Sequence, residues 1–255
     1  MNMPLANDNR EAWEARAKEL GVQLSSVLCR GLPPHLNAAM DSWHQCLLRR
    51  VFLTELAPGA RILDAGCGYG RVSRYLCETR PDLAIVGCDL AYAYCRAFVE
   101  YAKAPAVCMA VEKLAFAPSS FDGIVAVNAL MYLSPDARIG ALQQLQSVLA
   151  RGGKLFLLEP GLEYFNLLAR IGFGSPTGGY GFSLPEFCAL ADAASLRLLK
   201  SGSALAFSAC LPALGAATKI GFTSSRPIDM AMRWDARRSG LSKWSAYRWQ
   251  LLQRL

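Results

Sequence analysis

The sequence predicts an α/β protein: a seven-stranded, mostly parallel sheet covered by helices on both faces. Three observations carry that reading. Five short apolar runs, Arg61 to Ala65, Leu83 to Cys88, Ala106 to Ala110, Phe121 to Asn128 and Lys154 to Glu159, alternate with helix-length stretches. A glycine-rich turn closes the first run, and two later segments, about Arg197 to Phe207 and Trp244 to Leu255, read as further strands. With 255 residues, 53% hydrophobic and 18% charged, the chain can bury one ordinary core and is too apolar to stay unfolded.

Taken in order, Asn7 to Leu20 and His35 to Leu56 read as two helices joined by a loop holding Gly31, Pro33 and Pro34. They form an N-terminal helical cap or lid over residues 1–57, with the sheet domain spanning 58–255. After the fourth run, Ser134-Pro135 has the form of an N-cap followed by Pro at the first helical position. Ile139, Leu142, Leu145 and Val148 supply the apolar stripe of that helix, and Gly152-Gly153 is expected to end it. A stretch rich in Gly and aromatics, Gly161 to Phe182, precedes a helix from about Leu184 to Ala194. The longest uncharged run, Ser201 to Thr218, contains Gly202, Pro212 and Gly215; it makes a poor membrane span and reads as buried strand plus pocket wall. A basic, partly helical connection or lid at 211–243 leads to the last strand.

Charge is unevenly spread. The chain has 27 basic and 20 acidic side chains, net +7, but residues 219–255 hold eight of the basic and two of the acidic ones. A near-neutral body therefore carries a basic tail segment, which disfavours a nucleic-acid coat over the whole surface. Nine scattered Cys with no C-x-x-C pair suit free thiols in a reducing compartment, and no metal site is expected. Asp8, Glu11 and Glu14 interrupt any signal-peptide core, so the expected location is cytoplasmic.

The most informative segment runs from Arg61 to Leu76. An apolar strand ends at Asp64, Gly66, Gly68 and Gly70 let the backbone pass close to a ligand, and a helix starts near Gly70. The third glycine comes one position early for a dinucleotide fingerprint. Asp64 would repel a phosphate but can pair with an ammonium group. Asp89, ending the second strand, is an acceptor-only carboxylate placed for ribose hydroxyls. A ligand with an amino-acid ammonium, a ribose and no phosphate satisfies both, and S-adenosylmethionine is such a ligand.

These residues resemble motif I of the class I S-adenosylmethionine-dependent methyltransferases, and the likeness extends from about Leu56 to Glu159 and faintly to the terminal strand. It implies a Rossmann-like methyltransferase sheet with S-adenosylmethionine as cofactor. The cofactor residues it implies are Asp64, Gly66, Cys67, Gly68, Gly70, Asp89, Leu90, Val111, Glu112 and Asn128. Met109 to Phe116 resembles the family's adenine-contacting stretch, except that Ala110 stands where the family usually has Asp. Asn128 to Leu133 resembles the segment that lines the methionine end and opens toward the acceptor.

Methyl transfer is an in-line displacement, so holding reactants in line can supply most of the rate enhancement, up to ~7 to 11 kcal/mol. An acceptor hydroxyl would still benefit from a base. The candidates to position or deprotonate the acceptor are His44, on the apolar face of its helix, and Glu159, at the end of the fifth strand. His35, Tyr132, Tyr164, Arg233 and Arg237 are candidate substrate-binding residues.

The expected acceptor is an O or N atom of a small-molecule, sugar or lipid-like compound, with an acidic membrane surface as a further candidate partner for the Arg- and Trp-bearing tail. Nucleic acid is disfavoured, and the chain is expected to be a monomer or homodimer. The alternative is an RNA methyltransferase that docks through the basic C-terminal segment.

Overall fold

The computed structural model describes residues 6–30, 32–170, 179, 181–219 and 226–255. Its centre is one seven-stranded sheet in the order β3-β2-β1-β4-β5-β7-β6. The strands are β1 (Arg61–Ala65), β2 (Ala84–Asp89), β3 (Ala106–Cys108), β4 (Phe121–Val127), β5 (Leu149–Pro160), β6 (Leu196–Ser203) and β7 (Tyr247–Arg254). The first five pair in parallel, and β7 inserts antiparallel between β5 and β6. The sheet reverses direction of growth between β1 and β4, and in an open α/β sheet the crevice beyond the carboxyl ends at that point is where ligands bind.

Helix α1 (Ala6–Leu20), the short α2 (Leu24–Val27) and α3 (Pro34–Leu47) precede the sheet. The sequence reading of one helix from His35 to Leu56 gains a refinement: α3 passes into a π turn at Leu48–Phe52 and a 3-10 turn at Leu53–Glu55 before β1. Leu36, Met40, Trp43, Leu47 and Phe52 are fully buried there, and they join one face of the sheet to the cap. Helix α4 (Arg71–Thr79) follows β1 and α5 (Tyr92–Ala102) follows β2. Helix α6 (Pro135–Val148) starts where expected, with the Ser134 hydroxyl accepting from the Ala137 amide.

Some local expectations fail for identifiable reasons. Gly152-Gly153 does not end α6: the helix stops at Val148, and Gly152, with φ +77°, sits in an irregular start of β5 against β4. Ile139 points outward at 43% exposure, while Ala141 takes the inner position beside Leu142 and Leu145. The aromatic stretch after β5 contains helix α7 (Leu162–Arg170); its remainder, 171–178 and 180, lies outside the described residues. Helix α8 (Leu184–Ala193) is closed by a Ser183/Glu186 capping box. The uncharged run read as strand and pocket wall is mostly helix α9 (Leu205–Lys219), because the strand stops at Ser203, where the Asp235 carboxylate accepts from the Ala206 and Phe207 amides. Asp235 belongs to α10 (Arg226–Asp235), and residues 220–225 of the basic connection lie outside the described residues.

The charge of the tail is also redistributed. Arg248 is fully buried: it donates to the carbonyls of Phe182, Ser242 and Lys243 and pairs with Glu163 at 2.6 Å. It ties β7 to α7 and to the start of α8 and contributes no surface charge. Among the described residues no helix is long and apolar enough to cross a membrane. Replacing this guanidinium by an apolar side chain strands one carboxylate and three carbonyls. Arg248→Met is therefore expected to lower the unfolding free energy by about 3 kcal/mol, read from the shift in urea midpoint at constant slope; an unchanged midpoint would refute this role.

Candidate active site

The crevice beyond β1, β2 and β4 is assembled by backbone amides gathered onto carboxylates. After β1 the chain turns sharply through Gly66 and Gly68, both at positive φ. A Cβ on Gly66 would lie 2.7 Å from Ala129 Cβ, and one on Gly68 2.6 Å from Val27 of the cap, so no larger residue fits. Asp89 fixes this loop from the neighbouring strand: Oδ2 accepts from the Gly68 amide and Oδ1 from the Ala91 amide, each at 2.9 Å. It braces the turn, leads into α5 and still lines the crevice.

Asp64 is buried at the end of β1 and accepts from the Ser73 hydroxyl at 2.7 Å. Burial pushes it up to about 6, against the pull of Ser73 and Arg71 and with a further push from Asp89. Burial likewise raises Asp89, opposed by the Ala91 and Gly68 amides. Across the crevice, Asn128 adopts φ +57°, and its side-chain oxygen is buried without a donor among the described residues. A non-glycine residue held in that conformation at a strand end is strained in the way functional positions often are. A buried carboxylate, Asp64, a half-buried one, Asp89, and an orphaned amide oxygen make an acceptor-rich cavity that suits a cationic, hydroxyl-bearing ligand.

Of the residues singled out in the sequence, Asp64, Gly66, Cys67, Gly68, Asp89, Leu90, Val111, Glu112 and Asn128 line this crevice. Gly70 does not. It caps α4 at φ +96°, and a Cβ there would meet Phe98 and Ala102 of α5, so its role is helix packing. Sequence reading missed the roof, where Trp13 of α1 and Val27 of α2 close over the cavity. Trp13 sits edge-on to Tyr132, ring centroids 4.7 Å apart, while Glu14 accepts from the Ala93 amide and pins α1 to the start of α5. No motif marks these residues; only the docking of α1 brings them to the site.

The two catalytic candidates are placed differently from expectation. Glu159 is fully buried and spends both oxygens on the Ala129, Leu130 and Met131 amides, at 3.2, 2.9 and 3.1 Å. It holds the loop that follows β4 and has no access to an acceptor, so the base role is withdrawn. Burial pushes it up to about 8, against those amides and Arg138. His44 Nδ1 lies 3.0 Å from Arg71 Nη2, and Arg71 also pairs with Asp41 at 2.6 Å. Because a guanidinium only donates, Nδ1 must accept and the ring proton resides on Nε2. Burial, then the charge of Arg71, holds His44 well below its usual range, and Nε2 has no partner among the described residues. A neutral ring with a free N–H can donate to an oxygen but cannot take a proton through Nε2. Deprotonation by His44 is therefore withdrawn as well.

Among the substrate candidates, only Tyr132 lines the crevice. Tyr164 is buried with its hydroxyl donating to the Ser208 carbonyl at 2.6 Å, which removes it as a pocket wall. His35 is half-buried in the first turn of α3. Arg233 and Arg237 are exposed, on α10 and just beyond it, and neither lines the crevice. Arg71, overlooked in the sequence, does line it.

Two measurements test these assignments. Between about 3.8 and 6 the folded chain holds the Asp64 proton more tightly than the unfolded one, so a cationic ligand must displace it there. S-adenosylmethionine affinity is expected to rise with pH and level off above about 6, with a roughly tenfold loss by pH 5 that vanishes in Asp64→Asn; calorimetry showing a flat wild-type profile would refute it. Glu159→Gln leaves at least one loop amide unmatched. It is expected to cost about 1 to 3 kcal/mol of stability near pH 5, and to weaken cofactor binding. The parent loses this group's contribution as pH rises from 4.5 toward about 8 while the variant does not titrate, so the deficit should shrink over that window in denaturant titrations.

Comparison with known proteins agrees with this geometry. Residues 62–153 match the family model described as a methyltransferase domain. The chain is 33% identical over 121 residues to a probable tRNA methyltransferase 9B of Homo sapiens, covering 46% of this chain and 25% of that protein. It is 31% identical over 113 residues to the Xenopus tropicalis tRNA (carboxymethyluridine(34)-5-O)-methyltransferase alkbh8, covering 44% and 17%. The chain thus spans about a quarter or less of the length of these curated relatives. Among solved structures, the [4+2]-cyclase SpnF superposes with TM-score 0.66 at 16% identity over 100% of this chain and 98% of that one. Magnesium protoporphyrin IX methyltransferase from Synechocystis PCC 6803, with bound SAH, superposes with TM-score 0.64 at 13% identity over 98% and 99%. Relatives that carry tRNA in their names overturn the expectation that nucleic acid is disfavoured as a partner; the net charge of the body could not exclude it, because the charge that matters is local. The domain match falls on the strands that build the crevice: residues 62–153 are a methyltransferase domain, and the whole chain has the fold of solved S-adenosylmethionine-dependent methyltransferases.

Proposed function

We infer that the protein transfers a methyl group from S-adenosylmethionine to an O or N atom of a nucleoside in RNA. The observation that carries this reading is the likeness of its cofactor-binding half to proteins named as tRNA methyltransferases. Exposed cations in and around the C-terminal segment, Arg233, Arg237 and Arg238 among them, are consistent with a polyanionic acceptor. Half-buried Trp13 and Tyr132 at the crevice offer aromatic surfaces of the kind on which an unpaired base stacks.

In this reading Asp64 and Asn128 hold the amino-acid end of the cofactor, Asp89 the ribose, and Val111 and Glu112 the base, with Gly66 and Gly68 giving the backbone its close approach. When bound, S-adenosylmethionine supplies an electrophilic methyl group. The chain's own contribution is positional: Asp89 and Glu159 fix the two loops that flank the crevice, and α1 with α2 excludes water from above. His44, neutral and buried behind Arg71, holds that guanidinium at the crevice through Nδ1 and removes no proton. An acceptor with a low-barrier proton loss to solvent therefore suits the site better than one that needs a buried base.

Incubation with methyl-labelled S-adenosylmethionine and a cell extract, then separation into RNA, lipid and low-mass pools, tests the acceptor. Label is expected in the RNA pool, released as a methylated nucleoside by nuclease digestion. Label confined to the lipid or low-mass pool would overturn the RNA reading.

A further inference from the structure

A second cleft shares no lining residue with the crevice. It is bounded by the π turn after α3, by β6 and by the turn after α10, and Arg50, Lys200, Arg237 and Arg238 surround it. All four are exposed. Lys200 pairs with Glu55 at 2.7 Å, and Arg238 lies over the Trp234 ring at 4.0 Å. Among the described residues Arg50, Arg237 and Arg238 form no ion pair within contact distance. The nearby Asp235 carboxylate turns away from the cleft to the Ala206 and Phe207 amides.

The wall of the cleft carries an independent sign of a missing acceptor. Trp249 of β7 lines it, is only 4% exposed, and its indole N–H has no partner among the described residues. The ring is fixed, stacked on Phe156 and with its Cζ2–Nε1 edge against Gly202, where any Cβ would lie 2.5 Å from Cζ2 and 2.7 Å from Nε1. A buried donor left unmatched is costly, and the groups around it are cations. A phosphate group, anionic and rich in acceptor oxygens, would satisfy both.

We propose that this cleft binds a backbone phosphate of an RNA strand, a docking point separate from the cofactor crevice, through Arg50, Arg237, Arg238 and the Trp249 indole N–H. The cations ring a concavity, which suits a phosphodiester drawn inward more than a flat lipid surface. The carrier of the phosphate rests on the RNA reading above, whereas the anion site rests on the cleft itself.

The test is fluorescence anisotropy of a labelled single-stranded RNA 20-mer with the full chain, as a function of salt. The double variant Arg50→Gln, Arg237→Gln is expected to bind about tenfold more weakly, with the slope of log K against log salt reduced by about 1.4, from ~0.7 per phosphate contact. Cofactor affinity should stay unchanged, and Arg151→Gln, which removes a cation from the exposed start of β5, should have no effect. Trp249→Phe keeps the ring and deletes the donor; a several-fold loss in a variant with an unchanged urea midpoint supports the indole contact. Unchanged RNA affinity and slope in the double variant would overturn the proposal. So would an equal loss in Arg151→Gln, or loss of phosphatidylserine vesicle binding with RNA binding intact. If the methyl label appears only in low-mass products while pyrophosphate binding still falls in the double variant, the RNA reading fails and the anion cleft stands.

Discussion

The crevice depends on one recurring interaction: a carboxylate at a strand's carboxyl end that accepts backbone amides from the loop after its neighbour. Asp89, ending β2, holds Gly68 in the loop after β1, and Glu159, near the end of β5, holds Ala129 to Met131 in the loop after β4. Those loops flank the point where the sheet reverses its order of growth. Loops on a parallel sheet leave amides unmatched, and a buried amide without an acceptor is costly. One carboxylate per loop satisfies several at once and leaves the turn rigid. Asp235 does the same for the start of α9.

The electrostatics follow from that arrangement. Asp64 and Asp89 sit close together in a cavity whose nearest cation, Arg71, is shared with Asp41 and His44. Burial pushes both carboxyls upward, and a bound cation would favour their charged forms. His44, with its proton fixed on Nε2 by a donor-only neighbour, is buried behind Arg71 and does not itself line the crevice. Hydrogen-bond acceptors are thus gathered in the crevice, while exposed cations such as Arg50, Arg237 and Arg238 lie apart from it.

Much of the fold was legible from short-range rules. The inner parallel strands β1, β4 and β5 appear as apolar runs because both their faces are buried, and the Ser134 cap and the Asp64 to Gly70 turn carry their chemistry in local order. Errors cluster where tertiary contacts outvote local signals. Gly152-Gly153 looks like a helix stop but serves an irregular strand pairing with β4. The run from Ser201 to Thr218 looks like a strand, yet Asp235, far along the chain, caps a helix there. The last strand, β7, lies between β5 and β6 and is buried on both faces over most of its length.

Side-chain roles divide in the same way. By itself the sequence determined the fold class, the glycine turn, the two carboxylates and hence the kind of cofactor, because those features are encoded within a few residues and constrained by backbone geometry and charge. Only the tertiary structure decided that Glu159 is a brace, that His44 is a donor, that Arg248 is an interior tie, and that Trp13 roofs the crevice. Each of those outcomes depends on which distant group fills a side chain's hydrogen-bonding capacity, and that is fixed only when the chain has packed.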